Sequence, residues 1–331
     1  MTTNLAAELP RSWQMIMRQA VSNVDELLAL VKVGRHQLPA LDESSAFPVR
    51  VPHSFVQRMQ IGIPDDPLLR QVLPLGAEAN VVPGFVNDPL GEADAAAGPG
   101  IISKYQGRTL LITTGACPVH CRYCFRRHFP YQERTLRGAL DSSLQVLEKL
   151  DHEEVILSGG DPLSLSNARL GRLFEGLGCL PQLKRLRIHT RFPVVVPQRV
   201  DQGLLELLTD LPVPLVIVTH INHAQEIDAS VEIAIRDLRA TGATLLNQAV
   251  LLAGVNASPA AQVSLAEALF NTTVVPYYLH QLDPVAGAAH FQVADQTARS
   301  IMSALRATLP GYLVPRLVRE TAGEPAKTPL T

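Results

Sequence analysis

Gly115-Ala116-Cys117-Pro118-Val119-His120-Cys121-Arg122-Tyr123-Cys124-Phe125 sets three thiols within eight residues, with three and then two residues between them. The apolar stretch 110–113 runs just ahead of it and reads as a strand, so the thiols stand on the loop leaving that strand's C-terminal end. Three thiolates cannot complete a four-ligand protein site, but they can hold three irons of a [4Fe–4S] cube and leave the fourth open to an external chelate. The plainer alternative is a structural zinc with His120 or His128 as the fourth ligand. No second Cys/His pair follows at a zinc-finger spacing. The remaining cysteine, Cys179, comes after an apolar helix and reads as a small buried residue.

Beyond that loop the same rhythm repeats. Short apolar runs recur at 155–158, 186–189, 215–219, 245–250 and 274–279, and amphipathic helical stretches at 140–150, 230–241 and 263–270 lie between several of them. Strands alternating with helices imply parallel pairing and right-handed crossovers. The expected fold is therefore α/β, an open, partial parallel β/α barrel of about six strands. In such folds the chemistry sits at the C-terminal ends of the strands. Polar residues collect there: Ser158-Gly159-Gly160-Asp161, His189-Thr190-Arg191, Thr219-His220, Asn247-Gln248 and Gln281-Leu282-Asp283. Gly159 and Gly160, lacking side chains, let backbone approach a ligand closely.

Upstream, 12–30 and 55–61 carry helical spacing, and the Pro- and Gly-rich text of 83–100 is either a boundary or a draped loop. The expected organisation is an N-terminal helical and loop region (1–100), the barrel (101–290) and a C-terminal segment (291–331) folding over the barrel mouth. With 331 residues, 47% hydrophobic and 18% charged, the chain can bury a sizeable core. A net charge of −2 gives no electrostatic case for nucleic acid or an anionic membrane. No run of eighteen apolar residues occurs, and residues 1–13 lack a basic-then-apolar leader, so the expected location is the cytoplasm. In a reducing compartment clustered cysteines suggest metal or redox chemistry rather than disulfides.

The spacing Cys-x3-Cys-x2-Cys on such a loop resembles the radical S-adenosylmethionine superfamily, in which the open iron takes the amine and carboxylate of S-adenosylmethionine. The resemblance implies that Ser158, Gly159, Gly160 and Asp161 receive that cofactor's amino group. From Tyr105 onward the chain resembles the lysine 2,3-aminomutase family more closely still. The matching stretches are 117–128, 158–163, 190–199, 219–223, 247–256, 276–278 and Lys327-Thr328-Pro329, all in the same order. That resemblance implies that Lys327 carries pyridoxal phosphate, with Tyr105 and Arg108 lining and holding it. It implies that Arg126 clamps the substrate carboxylate, that Asp283 receives the distal ammonium of lysine with Glu320 beside it, and that His220 and Gln248 lie around S-adenosylmethionine. Read without it, His220 and Gln248 are polar caps at strand ends, and Lys327 is a solvated tail residue.

The chain departs from the lysine-fermenting members in three places. Glu320 stands where they carry aspartate, the text ends soon after Lys327, and Ser258 occupies a position where their structural zinc draws a cysteine, so no such zinc is expected. Residues 319–330 look most like the members that make (R)-β-lysine, which a partner ligase attaches to elongation factor P. The resemblance thus implies lysine as small-molecule substrate, an electron donor such as flavodoxin or ferredoxin, and a functional link to that ligase, with a homo-oligomer left open. Within the class the rival is an aminomutase for another amino acid such as glutamate, which acidic Asp283 and Glu320 disfavour. From another class the rival is a non-catalytic metal-binding module.

Overall fold

Six short apolar segments become parallel strands because each is too short and too β-branched for a helix and is followed by a helix that covers it. The computed structural model describes residues 12–42, 47–136 and 138–331. Most of the stretch inspected for a targeting leader, residues 1–11, lies outside the described residues. The strands are β1 (Ala96–Gly98), β2 (Ile101–Tyr105), β3 (Arg108–Thr114), β4 (Glu154–Gly159), β5 (Arg185–Thr190), β6 (Leu215–His220), β7 (Thr244–Val250), β8 (Val275–His280), β9 (Arg316–Arg319) and β10 (Thr328–Pro329). They form one sheet in strict chain order, β3 to β9 parallel, with β1, β2 and β10 added antiparallel at the two edges. This is the open barrel expected from the rhythm of the sequence. The expectation of about six strands was one short for the parallel set: β9, only four residues with arginine at each end, carries too little apolar pattern to be seen alone.

Register shows how the barrel is built. Leu111, Leu157, Ile188, Ile217 and Leu245 are aligned partners across five neighbouring strands, and all are buried. With period two, that row faces the helices while the alternate residues turn inward. In β5 the outward residues Leu186 and Ile188 are buried, while Arg187 and His189 line the barrel interior.

Among the described residues, four α-helices precede the barrel: α1 (Trp13–Arg18), α2 (Val24–Val31), α3 (His53–Val56) and α4 (Pro67–Arg70). Around it run α5 (Leu140–Leu150), α6 (Asn167–Gly178), α7 (Phe192–Val195), α8 (Gln202–Thr209), α9 (Ala229–Ala240), α10 (Pro259–Asn271) and α11 (Asp295–Thr308). The helical spacing at 12–30 is interrupted, because Val21 bridges Val51 and Asn23 caps α2, its Oδ1 accepting from Glu26 N at 2.8 Å. The helix expected at 55–61 reaches only Val56. Ser258 caps α10, accepting from Ala261 N at 3.2 Å. Cys179 corrects a sequence expectation: it is exposed at the C-cap of α6, past the last turn whose apolar face is covered.

The text at 83–95 is a draped loop, and it leads into β1 at the sheet edge. Val86 pairs with Val285 beside the barrel mouth, and Glu92 turns into the barrel. Residues of the N-terminal helices and of the barrel belong to one continuous hydrophobic core, from Trp13 and Leu68 to Leu157 and Leu279. Among the described residues, no helix is long and apolar enough to cross a membrane.

Candidate active site

The C-terminal ends of the parallel strands open into a cavity of about 370 Å³, within the range of small-molecule sites. Its lining contains every site residue that the resemblance implied: Cys117, Cys121, Cys124, Ser158, Gly159, Gly160, Asp161, Tyr105, Arg108, His220, Gln248, Arg126, Asp283, Glu320 and Lys327. The lining also holds Glu92, Lys104, Arg187 and His280, which the sequence did not single out, and His189 and Arg191, which it placed only among the polar strand ends.

At one end is the thiol loop, which the N-terminal segment fixes in place. Arg122 is fully buried, its Nε on Glu78 Oε1 at 2.8 Å and its Nη1 on the carbonyl of Phe47 at 2.6 Å. His120 hydrogen-bonds the Pro48 carbonyl at 2.8 Å and stacks on Phe47, while His128 meets the Ala286 carbonyl at 3.1 Å. Neither imidazole lines the cavity, so neither is placed to complete a zinc site there. Gln71, also from the N-terminal segment, accepts at Oε1 from Arg191 Nη2 at 2.7 Å, Asn222 Nδ2 at 3.0 Å and Tyr123 Oη at 3.2 Å. Arg191, anchored further by Glu226 at 3.0 Å, points Nη1 at Cys121 Sγ.

Burial first, then neighbouring thiols, and for Cys117 also Asp161, push Cys117 well above the ordinary thiol range and Cys124 to about 11. Among the described residues no three His, Cys, Asp or Glu side chains converge as a ready metal-ion set, and Cys121 faces Arg191. Three thiols on one pinned loop are nonetheless the donor chemistry a [4Fe–4S] cube requires, and the thiols must lose their protons and turn to bind it.

The Gly-Gly segment has a use that the sequence did not reveal. A Cβ on Gly160 would lie 2.3 Å from the Ala116 carbonyl, and Gly159 has φ +116° with the Thr114 carbonyl 2.7 Å from where its Cβ would be. The glycines therefore let the β4 loop lie against the thiol loop, backbone on backbone, with Gly160 N donating to Thr114 O and Asp161 N to Ala116 O, both at 2.7 Å. Asp161 then ties β4 to β5, accepting from Thr190 Oγ1 at 2.8 Å and Arg191 N at 2.7 Å.

At the other end is the C-terminal tail. β10 pairs with β9, Thr328 opposite Arg319, and Leu330 N donates to Leu317 O at 3.0 Å. This turns Lys327 into the cavity, where its Nζ donates to Glu320 Oε2 and lies 5.9 Å from the centre of the Tyr278 ring. Burial opposes ionisation of Glu320, yet Lys327 and Lys104 hold its pKa down at about 2. Arg108 stacks over Tyr105 at 4.4 Å. Buried polar atoms without a protein partner gather here: His189 Nε2, His280 Nε2, Arg187 Nε and Asp283 Oδ1. Burial, then nearby cations, keeps both histidines neutral, with pKa values well below the ordinary range. Burial and Glu320 push Asp283 up to about 7 against the pull of Lys327 and Lys104. Such orphans in a native cavity call for a ligand. A lysine amine, flanking aromatic rings and an unsaturated guanidinium fit a phosphorylated aldehyde cofactor.

Between the two ends lies Arg126. Its Nε and Nη2 each reach a Glu92 carboxylate oxygen at 2.7 Å, and its Nη1 reaches Ser158 Oγ at 3.1 Å. Glu92 stands in loop text with no local signature. Arg187 could have been found, because it lies two residues before His189 on the inward face of β5.

No protein-family model matches the chain. A protein named L-lysine 2,3-aminomutase from Escherichia coli (strain K12) is 46% identical over 325 residues, covering 96% of this chain and 94% of that protein. One of the same name from Haemophilus influenzae is 43% identical over 324 residues, covering 96% and 95%. Another, from Acetoanaerobium sticklandii, is 30% identical over 322 residues, covering 96% of this chain and 78% of that protein.

Proposed function

We propose, starting from the fact that this chain belongs to the L-lysine 2,3-aminomutase family, that it converts L-α-lysine into (R)-β-lysine. The family's enzymes are isomerases that use a [4Fe–4S] cluster, S-adenosylmethionine and pyridoxal phosphate. The observation that carries the assignment to this site is that one cavity is lined by both the thiol triplet and Lys327.

Cys117, Cys121 and Cys124 hold the cluster, and the backbone around Gly159, Gly160 and Asp161 receives S-adenosylmethionine, with His220 and Gln248 beside it. Lys327 binds pyridoxal phosphate through its amine, next to Tyr105 and Arg108. When bound, these groups supply a radical able to break an unactivated carbon–hydrogen bond and a conjugated partner for the migrating nitrogen. The chain's own residues set the geometry. Arg126 receives the substrate carboxylate in the planar, bidentate manner a guanidinium favours. Asp283 and Glu320 receive the distal ammonium, which would otherwise be costly to bring into a closed site. Neutral His189 and His280 line the walls without adding charge. Fixing both ends of lysine positions its α- and β-carbons for hydrogen abstraction and keeps solvent from the reacting centre.

The (R) configuration and the role of the product as donor for modification of elongation factor P rest on the text of residues 319–330 and on Glu320. The same reading makes the protein a cytoplasmic enzyme reduced by a flavodoxin or ferredoxin, functionally linked to the β-lysine ligase, and compatible with a homo-oligomeric state. The test is anaerobic incubation with lysine, S-adenosylmethionine and a reductant, followed by chiral analysis of the product. (R)-β-Lysine is expected, and formation of the S enantiomer would contradict the donor assignment. Glu320 reaches one methylene further than aspartate, so Glu320→Asp should erode the R excess by seating the lysine chain differently. An unchanged product from that variant would remove Glu320 as the cause.

A further inference from the structure

The charged groups across the cavity form a chain that does not end at the residues already assigned. Arg126 is held by Glu92, with both its Nε and Nη2 at 2.7 Å from carboxylate oxygens. Glu320 is held by Lys104 at 3.2 Å as well as by Lys327. Glu92 and Lys104 are themselves 3.9 Å apart. A carboxylate therefore already sits on the arginine assigned to the substrate carboxylate, and an ammonium already sits on the glutamate assigned to the substrate ammonium. Both side chains are largely shielded from water, at 4% exposure for Glu92 and 16% for Lys104, so neither charge can simply be released into solvent.

We propose that Glu92 and Lys104 are specificity-determining residues that stand in for the two charged ends of lysine and are displaced together when it binds. The proposal rests on the reading of Arg126, Asp283 and Glu320 given above. As lysine enters, its carboxylate takes Arg126 from Glu92, and its distal ammonium takes Glu320 from Lys104. The two displaced groups, already a loose ion pair at 3.9 Å, draw together and pair closely. No buried charge is left without a partner, and the count of charges in the cavity changes only by those of the ligand. A ligand with a carboxylate but no distal ammonium cannot complete the exchange. It displaces Glu92 while Lys104 stays committed to Glu320, leaving Glu92 with only a distant share of Lys104. Discrimination thus comes from a penalty built against the wrong ligand as well as from contacts with the right one.

The exchange has a thermodynamic signature. Binding breaks two close resident ion pairs, one of them bidentate, and in return only tightens the loose pair that Glu92 and Lys104 already make at 3.9 Å. Removing both residents in the charge-neutral double variant Glu92→Gln/Lys104→Gln should therefore tighten lysine binding, by about tenfold for each 1.4 kcal/mol of the difference. Either single substitution leaves the other ion without the partner it takes in the bound state, so each single variant should bind lysine more weakly than the double. Calorimetric titration of lysine into protein carrying its cluster and pyridoxal phosphate, without S-adenosylmethionine, measures this with no turnover. Iron content and thermal midpoint equal to wild type establish that the variants are folded. A folded double variant that binds lysine no better than wild type, or no better than the single variants, overturns the exchange. Arg126→Lys should weaken lysine binding at least tenfold. Wild-type affinity there would overturn the reading of the site itself, whereas a normal Arg126 penalty with no gain in the double variant would overturn the exchange alone.

Discussion

Asp283 shows how a single side chain can be prepared for a ligand. Its Oδ1 is buried without a partner, and its pKa is pushed up to about 7 by burial and by Glu320. The ordinary carboxylate value is 3.8, so the folded chain binds a proton there that the unfolded chain has released. Stability contributed by that proton is full below about 4 and falls as pH rises towards 7. Substrate binding has the opposite dependence, because an ammonium needs the ionised form. kcat/KM for lysine should rise with pH through about 7 and then level off. Asp283→Asn should abolish that inflection and lower kcat/KM about tenfold or more, since it leaves the ammonium short of a charge. An inflection that survives the substitution would place it on another group. The cysteines differ in the same local way. Cys117, Cys121 and Cys124 line the cavity, while Cys179 is exposed at the C-terminal end of α6. After anaerobic reconstitution, Cys179→Ser should keep about four irons per chain and Cys121→Ser should not hold a stable cube. Equal loss of iron in both would sink the assignment.

Among the elements, the strands that the sequence revealed are those whose neighbours in the sheet demand a continuous apolar row. Leu111, Leu157, Ile188, Ile217 and Leu245 each announce a strand because each must be buried against a helix. β9 and β10 were not legible, since Arg316–Arg319 is flanked by charge and Thr328–Pro329 exists only as an addition to β9. The same limit applied to the site. The thiols, Gly159-Gly160 and Asp283 stand in ordered motifs at strand ends, whereas Glu92 reaches the cavity only because its loop is folded back and held by the pairing of Val86 with Val285. The reason for Gly160 was hidden for another cause, because a contact between two loop backbones leaves no periodic trace. The β9–β10 pairing carries Lys327 into place, which gives the tail a function separable from the cluster. Deleting residues 324–331 should abolish activity and pyridoxal phosphate binding while leaving iron content near wild type. Borohydride reduction and peptide mapping of the intact protein should find the pyridoxyl group on Lys327. Labelling confined to another lysine would overturn this view of the tail.

For the whole molecule, the N-terminal segment and the barrel share one core, and the segment's polar side chains reach the strand ends. Gln71 joins Arg191, Asn222 and Tyr123, and Glu78 holds Arg122 in the middle of the thiol loop. The fold thus presents the thiols at one end of a cavity and Lys327 at the other, with the groups assigned to lysine between them. The central claim is that both ends act on one substrate molecule. Lysine deuterated at its β-carbon, incubated anaerobically with S-adenosylmethionine and a reductant, tests this most directly through the deuterium content of the 5′-deoxyadenosine recovered. The account predicts that the label passes from lysine to the deoxyadenosyl carbon in the wild type, and that it fails to do so in either Cys121→Ser or Lys327→Ala. β-Lysine formed with no deuterium in 5′-deoxyadenosine, or transfer undiminished in Lys327→Ala, would contradict it.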